Sequence, residues 1–436
     1  MDAFRFPIRP ARRAPAHPAM SRSDAPTAAA GALPSDQADR RARAAALACM
    51  VGLAVVLGVG RFAFTPLLPL MLADGSIGLK AGGWLASANY AGYFAGAVSC
   101  AALRVAPARM VRFGLAATVL LTAAMGIGHL LPVWLAVRFV AGVVSAWTFV
   151  FMSQWGLRRL AELHAPEWSG VIYAGPGVGI VLTGLIGSAL AGRPAASGWL
   201  GFAALSAVLS VAIWRTFAVT PVQAVPPAGT TPHAAAAAPS ASAAPADARR
   251  HRADAAWLVV LYGTPGFGYI ITATFLPVIA RTALPVGSPW PDLFWPMFGA
   301  ALIVGAIAAA RLPGHWDNRL LLAAGCATQA LGIAAGIVWP NALGFSVGSA
   351  LLGLPFTAIT LFAMREARRL HGERAAGLMG YATASYGVGQ IIGPLVAAPL
   401  AARFGSFSPA LWVAVAALLA GAAGFAAIAA KGRLRR

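Results

Sequence analysis

The chain has 436 residues, of which 59% are apolar and only 11% charged, with a mean hydropathy of +0.73. Soluble domains run near roughly 45–50% apolar and 25% charged, so the composition excludes an ordinary water-soluble fold and points to a polytopic membrane protein. The formal charge of +20 would suit a nucleic-acid binder, but 27 of the 33 basic residues fall on one side of the spans predicted below, which makes the charge topological and argues against nucleic acid.

Residues 1–43 are rich in Ala, Arg and Pro and lack an apolar signal core, so they read as a disordered basic cytoplasmic tail. Windows of about 20 apolar residues then predict six spans in a first half, 44–217, near 45–73, 82–103, 112–130, 132–157, 168–192 and 197–217. Residues 218–254, with prolines, an alanine tract at 234–238 and the closing cluster Arg249, Arg250 and Arg252, read as a flexible cytoplasmic linker. A second half, 255–430, holds spans near 255–280, 290–311, 319–338, 341–364, 375–402 and 408–430, followed by a short basic tail, 431–436. The even count places both termini on one side, and the positive-inside rule makes that side cytoplasmic. Cys49, Cys100 and Cys326 fall in spans without ligand spacing, so neither a metal site nor a disulfide is expected.

Within the first span, GVGRFAFTPLLPLM over 58–71 sets Arg61 in the middle of an apolar run. An arginine at bilayer depth costs roughly 2.5–3.5 kcal/mol on insertion scales, so it requires a cavity, a partner or a ligand. All thirteen carboxylates lie in tails, in loops or near span ends. The counter-ion of Arg61 is then water, backbone carbonyl or a transient anion, which makes an anionic substrate the sharpest expectation.

The halves repeat faintly. Gly58, Gly60 and Leu68-Pro69 match Gly266, Gly268 and Leu276-Pro277, Gly177-Val178-Gly179 matches Gly387-Val388-Gly389, and Arg158-Arg159-Leu160 matches Arg368-Arg369-Leu370, all at an offset of about 210 positions. Because each half has six spans and begins on the same side, the two are parallel repeats about an axis along the membrane normal, a transporter plan.

The segment GVGRFAFTPLLPLM resembles the YbfB/YjiJ branch of the major facilitator superfamily. Arg138-Phe139-Val140-Ala141-Gly142 is similar to that superfamily's fourth-helix arginine motif, and Gly175-Pro176-Gly177-Val178-Gly179 to the glycine-proline motif of its fifth helix. Asp317-Asn318-Arg319 resembles a remnant of its gating motif, whereas the loop Leu103–Arg109 lacks the motif's aspartate. The resemblance implies an all-α integral membrane fold of twelve transmembrane helices in two parallel six-helix repeats, with spans 3, 6, 9 and 12 outside and the others around a central cavity. All seven tyrosines occur in spans 2, 5, 7 and 11, which agrees with that arrangement.

Candidate substrate-binding residues are Arg61, Arg138, Asn89, Tyr93, Tyr262, Tyr269, Tyr386 and Gln390; Asn89 and Tyr93 are four apart and share a helix face, as do Tyr262 and Tyr269. The alternative for each amide and phenol is a bond between neighbouring helices, and for Arg138 a snorkel to the outer interface. Pro66, Pro69, Gly175, Pro176, Gly177, Asp317 and Arg319 are conformational candidates, and Pro66, Pro69, Pro176, Pro265, Pro394 and Pro399 are expected to interrupt their helices. No catalytic set, nucleotide-binding motif or cofactor signature stands in the spans, so a non-enzymatic carrier without cofactor is expected. The reading is a monomeric inner-membrane transporter that moves a small organic solute, an anion by preference, through the lipid bilayer by alternating access. An exporter of drugs or metabolites and a non-transporting sensor or scaffold are the rivals.

Overall fold

The computed structural model describes residues 35–218, 245–372 and 375–433. Residues 1–34 of the expected tail, 219–244 of the expected linker and 434–436 lie outside the described residues, as do 373–374.

Among the described residues the chain is helical with short connections, and no strand occurs. The first span is composite: α1 (Ser35–Leu53), a π-helical segment (Ala54–Phe62) and α2 (Phe64–Ala73). Then follow α3 (Leu79–Ser99), α4 (Pro107–Ile127), α5 (Leu131–Glu162), α6 (Ser169–Ala189) and α7 (Ala195–Trp214). The second half comprises α8 (Pro245–Ala283), α9 (Trp290–Arg311), α10 (Asn318–Val338), the broken pair α11 (Ala342–Gly353) and α12 (Phe356–His371), α13 (Ala375–Phe404) and α14 (Ser408–Arg433). Helix begins at Ser35, inside the expected tail, and at Pro245, inside the expected linker.

Eleven stretches among the described residues are long and apolar enough to cross a membrane. The twelfth, α3, has the length at 21 residues, but Lys80, Asn89, Tyr90 and Tyr93 dilute its hydropathy. Residues facing a polar interior lower a span's apparent hydrophobicity in this way.

Local chemistry sets the ends. Proline occupies the first turn of α4 and α5, where its missing N–H costs nothing. The Asp317 side chain caps α10 by accepting from the Arg319 N–H, Asn341 caps α11 through the Gly344 N–H, and Gly372 at φ +53° stops α12. The expectation of proline breaks needs correction at five positions. Pro69, Pro176, Pro265, Pro394 and Pro399 lie inside α2, α6, α8 and α13, which continue through them; neighbouring helices and small backbone adjustments accommodate the lost hydrogen bond. The breaks lie elsewhere, at the π segment before Pro66 and between α11 and α12, where Pro355 follows Leu354.

Spans 1 and 7 are the most enclosed and spans 6 and 12 the least. The outer helices α4 and α7 pack within the first half, α10 and α14 within the second. Across the seam between halves, α3 meets α13, α6 meets α9 and α2 meets α8. Glycine permits the closest approach: a Cβ on Gly177 of α6 would stand 3.0 Å from the Gly299 carbonyl of α9, and one on Gly299 at the same distance from the Gly177 carbonyl. Gly175, two residues from Gly177, instead faces α1, where its Cβ would press on Leu53 at 2.8 Å. Further seam bonds run from Thr65 Oγ1 to the Ala273 carbonyl (2.9 Å) and from Ser87 Oγ to the Ile391 carbonyl (2.8 Å). These contacts lie at mid-helix or toward the face away from the chain termini. Near the terminal-face end of α13, Tyr381 is 71% exposed.

Candidate functional site

The π segment ends at Phe62, where the Ala63 N–H reaches the Val59 carbonyl at 3.4 Å, just ahead of Pro66, which has no N–H to give. Arg138 of α5 adds side-chain donors to this stretch of backbone. Its guanidinium, 2% exposed, donates from Nη2 to the Arg61 carbonyl (3.2 Å), from Nη1 to the Gly60 carbonyl (3.4 Å) and from Nε to the Leu85 carbonyl of α3 (3.5 Å), and lies 4.8 Å from the Phe64 ring centroid. The Asn89 amide of α3 donates to the Arg138 carbonyl at 2.9 Å. Arg138 and Asn89 are thus turned into the packing of α3, α5 and the first span.

Arg61 faces the other way, into the seam. It is 6% exposed, and Nη2 donates to Gln390 Oε1 of α13 at 3.0 Å. Three rings surround its guanidinium carbon, with centroids at 4.1 Å for Tyr93, 5.1 Å for Tyr90 and 5.4 Å for Phe62. Its Nε has no hydrogen-bond partner. Among the described residues no carboxylate forms an ion pair with it. A guanidinium presents five N–H donors and cannot shed its charge, so this one retains capacity for an acceptor.

From Gln390 a polar and aromatic chain runs into the second half. Gln390 Nε2 donates to the Tyr269 hydroxyl, Tyr269 stacks on Tyr386 with centroids 5.8 Å apart, and Tyr386 lies 4.9 Å from Tyr262. The Tyr262 hydroxyl donates to Thr360 Oγ1 of α12 at 3.1 Å. Tyr93 and Tyr386 are only half-buried and sit on the terminal-face side of Arg61 and Gln390. On the opposite side the seam is dense: Tyr90 bonds to Thr274 at 3.0 Å, and Trp295 of α9 meets Phe62 edge-on at 6.0 Å.

Of the eight substrate-binding candidates, the structure therefore brings six together, namely Arg61, Tyr93, Tyr262, Tyr269, Tyr386 and Gln390. Tyr90 joins them beside Arg61, and its spacing of three from Tyr93, which places both on one helix face, is the signal that could find it. Thr65 carried no usable signal alone, but its acceptor did: Ala273 is four residues before Pro277, which leaves its carbonyl without the usual helical donor. Pro66 and Pro69 are buried just beyond the π segment. Asp317 and Arg319 lie apart, at the terminal face of the second half. Both Asp317 oxygens accept from the Arg319 fork at 3.1 Å, and Arg319 Nη1 reaches the Ile428 carbonyl of α14 at 3.3 Å. Burial raises the Asp317 carboxyl, but hydrogen bonds from the Arg319 side chain and N–H outweigh it and hold the group below its ordinary value.

A family model described as an uncharacterised MFS-type transporter, YbfB, matches residues 53–426. The chain belongs to this family. Solved structures share the fold: the nucleoside transporter NupG aligns with a TM-score of 0.68 at 11% identity over 89% of this chain and 98% of its own. A D-xylose–proton symporter aligns with a TM-score of 0.65 at 11% identity over 88% and 97%. Among curated proteins, a chloramphenicol resistance protein of Streptomyces lividans is 28% identical over 389 residues, covering 84% of this chain and 92% of that one. The protein is therefore a multi-pass membrane transporter of the MFS type.

Proposed function

We propose that this YbfB-type transporter moves a small organic anion across the bacterial inner membrane by alternating access, with Arg61 receiving the anionic group. The observation that carries this reading is the state of Arg61: buried at mid-membrane between the halves, ringed by Tyr93, Tyr90 and Phe62, bonded to a neutral amide and with Nε unpartnered. A carboxylate entering there gains a charge-assisted, bidentate partner in a medium of low dielectric and supplies the counter-charge that the protein lacks. It would exchange with Gln390 Oε1 for the guanidinium and thereby act on the bond that joins α2's end of the first span to α13. Asn89 and Arg138 support the site from behind.

Twenty-seven basic residues on the terminal side favour a cytoplasmic location for both termini. With the seam closed on the opposite side, the site would then open toward the cytoplasm past Tyr93 and Tyr386. Net movement would follow the substrate gradient or exchange, since no mid-membrane carboxylate is at hand to carry a coupled proton. The chain would act as a monomer, since one chain carries both halves that flank the site.

A second reading, export of neutral aromatic compounds, is favoured by the chloramphenicol resistance relative and by the tyrosine-rich wall. Uptake by proteoliposomes separates the two. Radiolabelled carboxylates that accumulate where their primary amides do not, in wild type but not in Arg61→Gln, support the anion carrier. Transport of chloramphenicol with equal rates in both proteins replaces it with the exporter.

A further inference from the structure

At the terminal face of the second half, well away from Arg61, a recess of about 560 Å³ opens between the α9–α10 turn and the last turns of α12. Its wall carries His315, Trp316, Asp317, Arg319, Arg365 and Arg368, with Arg369 beside them. The charges can be matched in pairs. Arg319 takes both oxygens of Asp317, and Arg369 takes both oxygens of the buried Glu366 at 2.8 and 2.7 Å. Two guanidinium groups are left over. Among the described residues neither Arg365 nor Arg368 has an acid partner, and Arg365 Nη1 is buried without any hydrogen-bond partner.

Arg365 and Arg368 are three residues apart and share one face of α12. Opposite them the N-terminal end of the 21-residue α10 borders the recess and contributes the positive end of its dipole, while the Asp317 charge is already matched by the Arg319 fork. Trp316 stands at the rim 47% exposed, and indoles settle at headgroup depth. A compact acceptor with two or more anionic oxygens matches this arrangement, because it could accept from both guanidinium groups at once.

We infer that this recess binds a phosphate group, delivered by the headgroup of an anionic lipid of the adjoining leaflet or by a free phosphate. The guanidinium fork suits phosphate better than a point cation would, because it offers parallel donors to two oxygens. The alternative is that Arg365 and Arg368 are merely solvated topological charges at a helix C-terminus. That alternative predicts no selectivity for either residue over other arginines of the same face.

The test uses the full chain purified in detergent and read by native mass spectrometry and by melting, with short-chain phosphatidylglycerol, short-chain phosphatidylcholine and inorganic phosphate as probes. Wild type is expected to retain phosphatidylglycerol at least five-fold better than phosphatidylcholine. The pair Arg365→Gln/Arg368→Gln is expected to lose that preference, and Arg368→Gln alone, an exposed change that leaves the packing untouched, to lose at least half of it. The pair Arg158→Gln/Arg159→Gln removes the same charge from the terminal-face end of the equivalent helix, α5, in the first half and should retain it. Competition by millimolar inorganic phosphate marks the phosphate itself as the group recognised, with a melting shift by phosphate alone identifying the free ion as a sufficient ligand. Equal lipid retention in wild type and the Arg365/Arg368 pair, or equal loss in the Arg158/Arg159 pair, would overturn the inference.

Discussion

Two arginines lie at the heart of the first half, almost equally buried at 6% and 2% exposure, and they are held in opposite ways. Arg138 spends its donors on three backbone carbonyls of its own half and is complete. Arg61 reaches one amide of the other half, leans on aromatic faces and leaves Nε unsatisfied. The same residue type, at the same depth, thus serves as a backbone clamp where carbonyls of two spans surround it and as an open receptor when nothing in the protein answers its charge. Satisfaction, rather than burial, separates the two.

Changes at Arg138 should give the largest effect. Hydrogen bonds to a charged donor are worth about 1.5–3 kcal/mol each, so Arg138→Gln, which removes a donor from the carbonyls of Gly60, Arg61 and Leu85, is expected to lower the melting midpoint by about 5 °C or more and to abolish transport with it. Arg138→Lys should rescue little, because an ammonium cannot span three separated acceptors. Retention of wild-type melting by Arg138→Gln in a thermal assay would remove the contrast altogether.

Arg61 should behave with the opposite sign in the absence of ligand. Removing an incompletely paired charge from mid-membrane relieves part of the roughly 2.5–3.5 kcal/mol insertion cost, so Arg61→Met is expected to melt at or above wild type while losing all response to organic anions. Next in size come the groups that hold the guanidinium. A cation–π contact is worth about 0.5–2 kcal/mol, so Tyr93→Leu should weaken anion affinity by about 2- to 30-fold in a titration, with Tyr93→Phe near wild type. A strong loss in Tyr93→Phe would mean that the hydroxyl, not the ring, matters.

The smallest effect is expected at Asp317. A carboxyl held below its ordinary value contributes stability above the unfolded-state pKa near 3.9, and the contribution is lost as pH falls through the lower folded value. Melting of wild type should therefore decline below about pH 4, and Asp317→Asn should show a shallower decline from a lower starting point. Identical acid profiles would show that the Arg319 fork contributes nothing to the second half's terminal face.

Much of the architecture is legible in the chain because a bilayer demands long apolar stretches, and the predicted span 290–311 coincides with α9, Trp290–Arg311. What escaped is backbone register. Nothing in AVVLGVGRF announces a π-helix, since apolar residues at that spacing fit an α-helix equally well. The same limit hides the orientation of Arg138, whose depth in span 4 is readable while the carbonyls it meets belong to spans 1 and 2. Arg61, Gln390 and the tyrosines of α8 and α13 could be gathered as candidates because polar residues are rare in such spans. Their connection from Arg61 to Thr360 depends on the seam, and no spacing within one helix encodes that.

The most direct test of the Arg61 account is melting of purified wild type and Arg61→Gln in matched series of small organic acids and their primary amides. An acid at about 100 times its dissociation constant should stabilise wild type by about 2.7 kcal/mol, its amide should do nothing, and Arg61→Gln should respond to neither. If acid and amide stabilise wild type alike, and the mutant keeps that response, Arg61 does not receive an anion and the central claim fails.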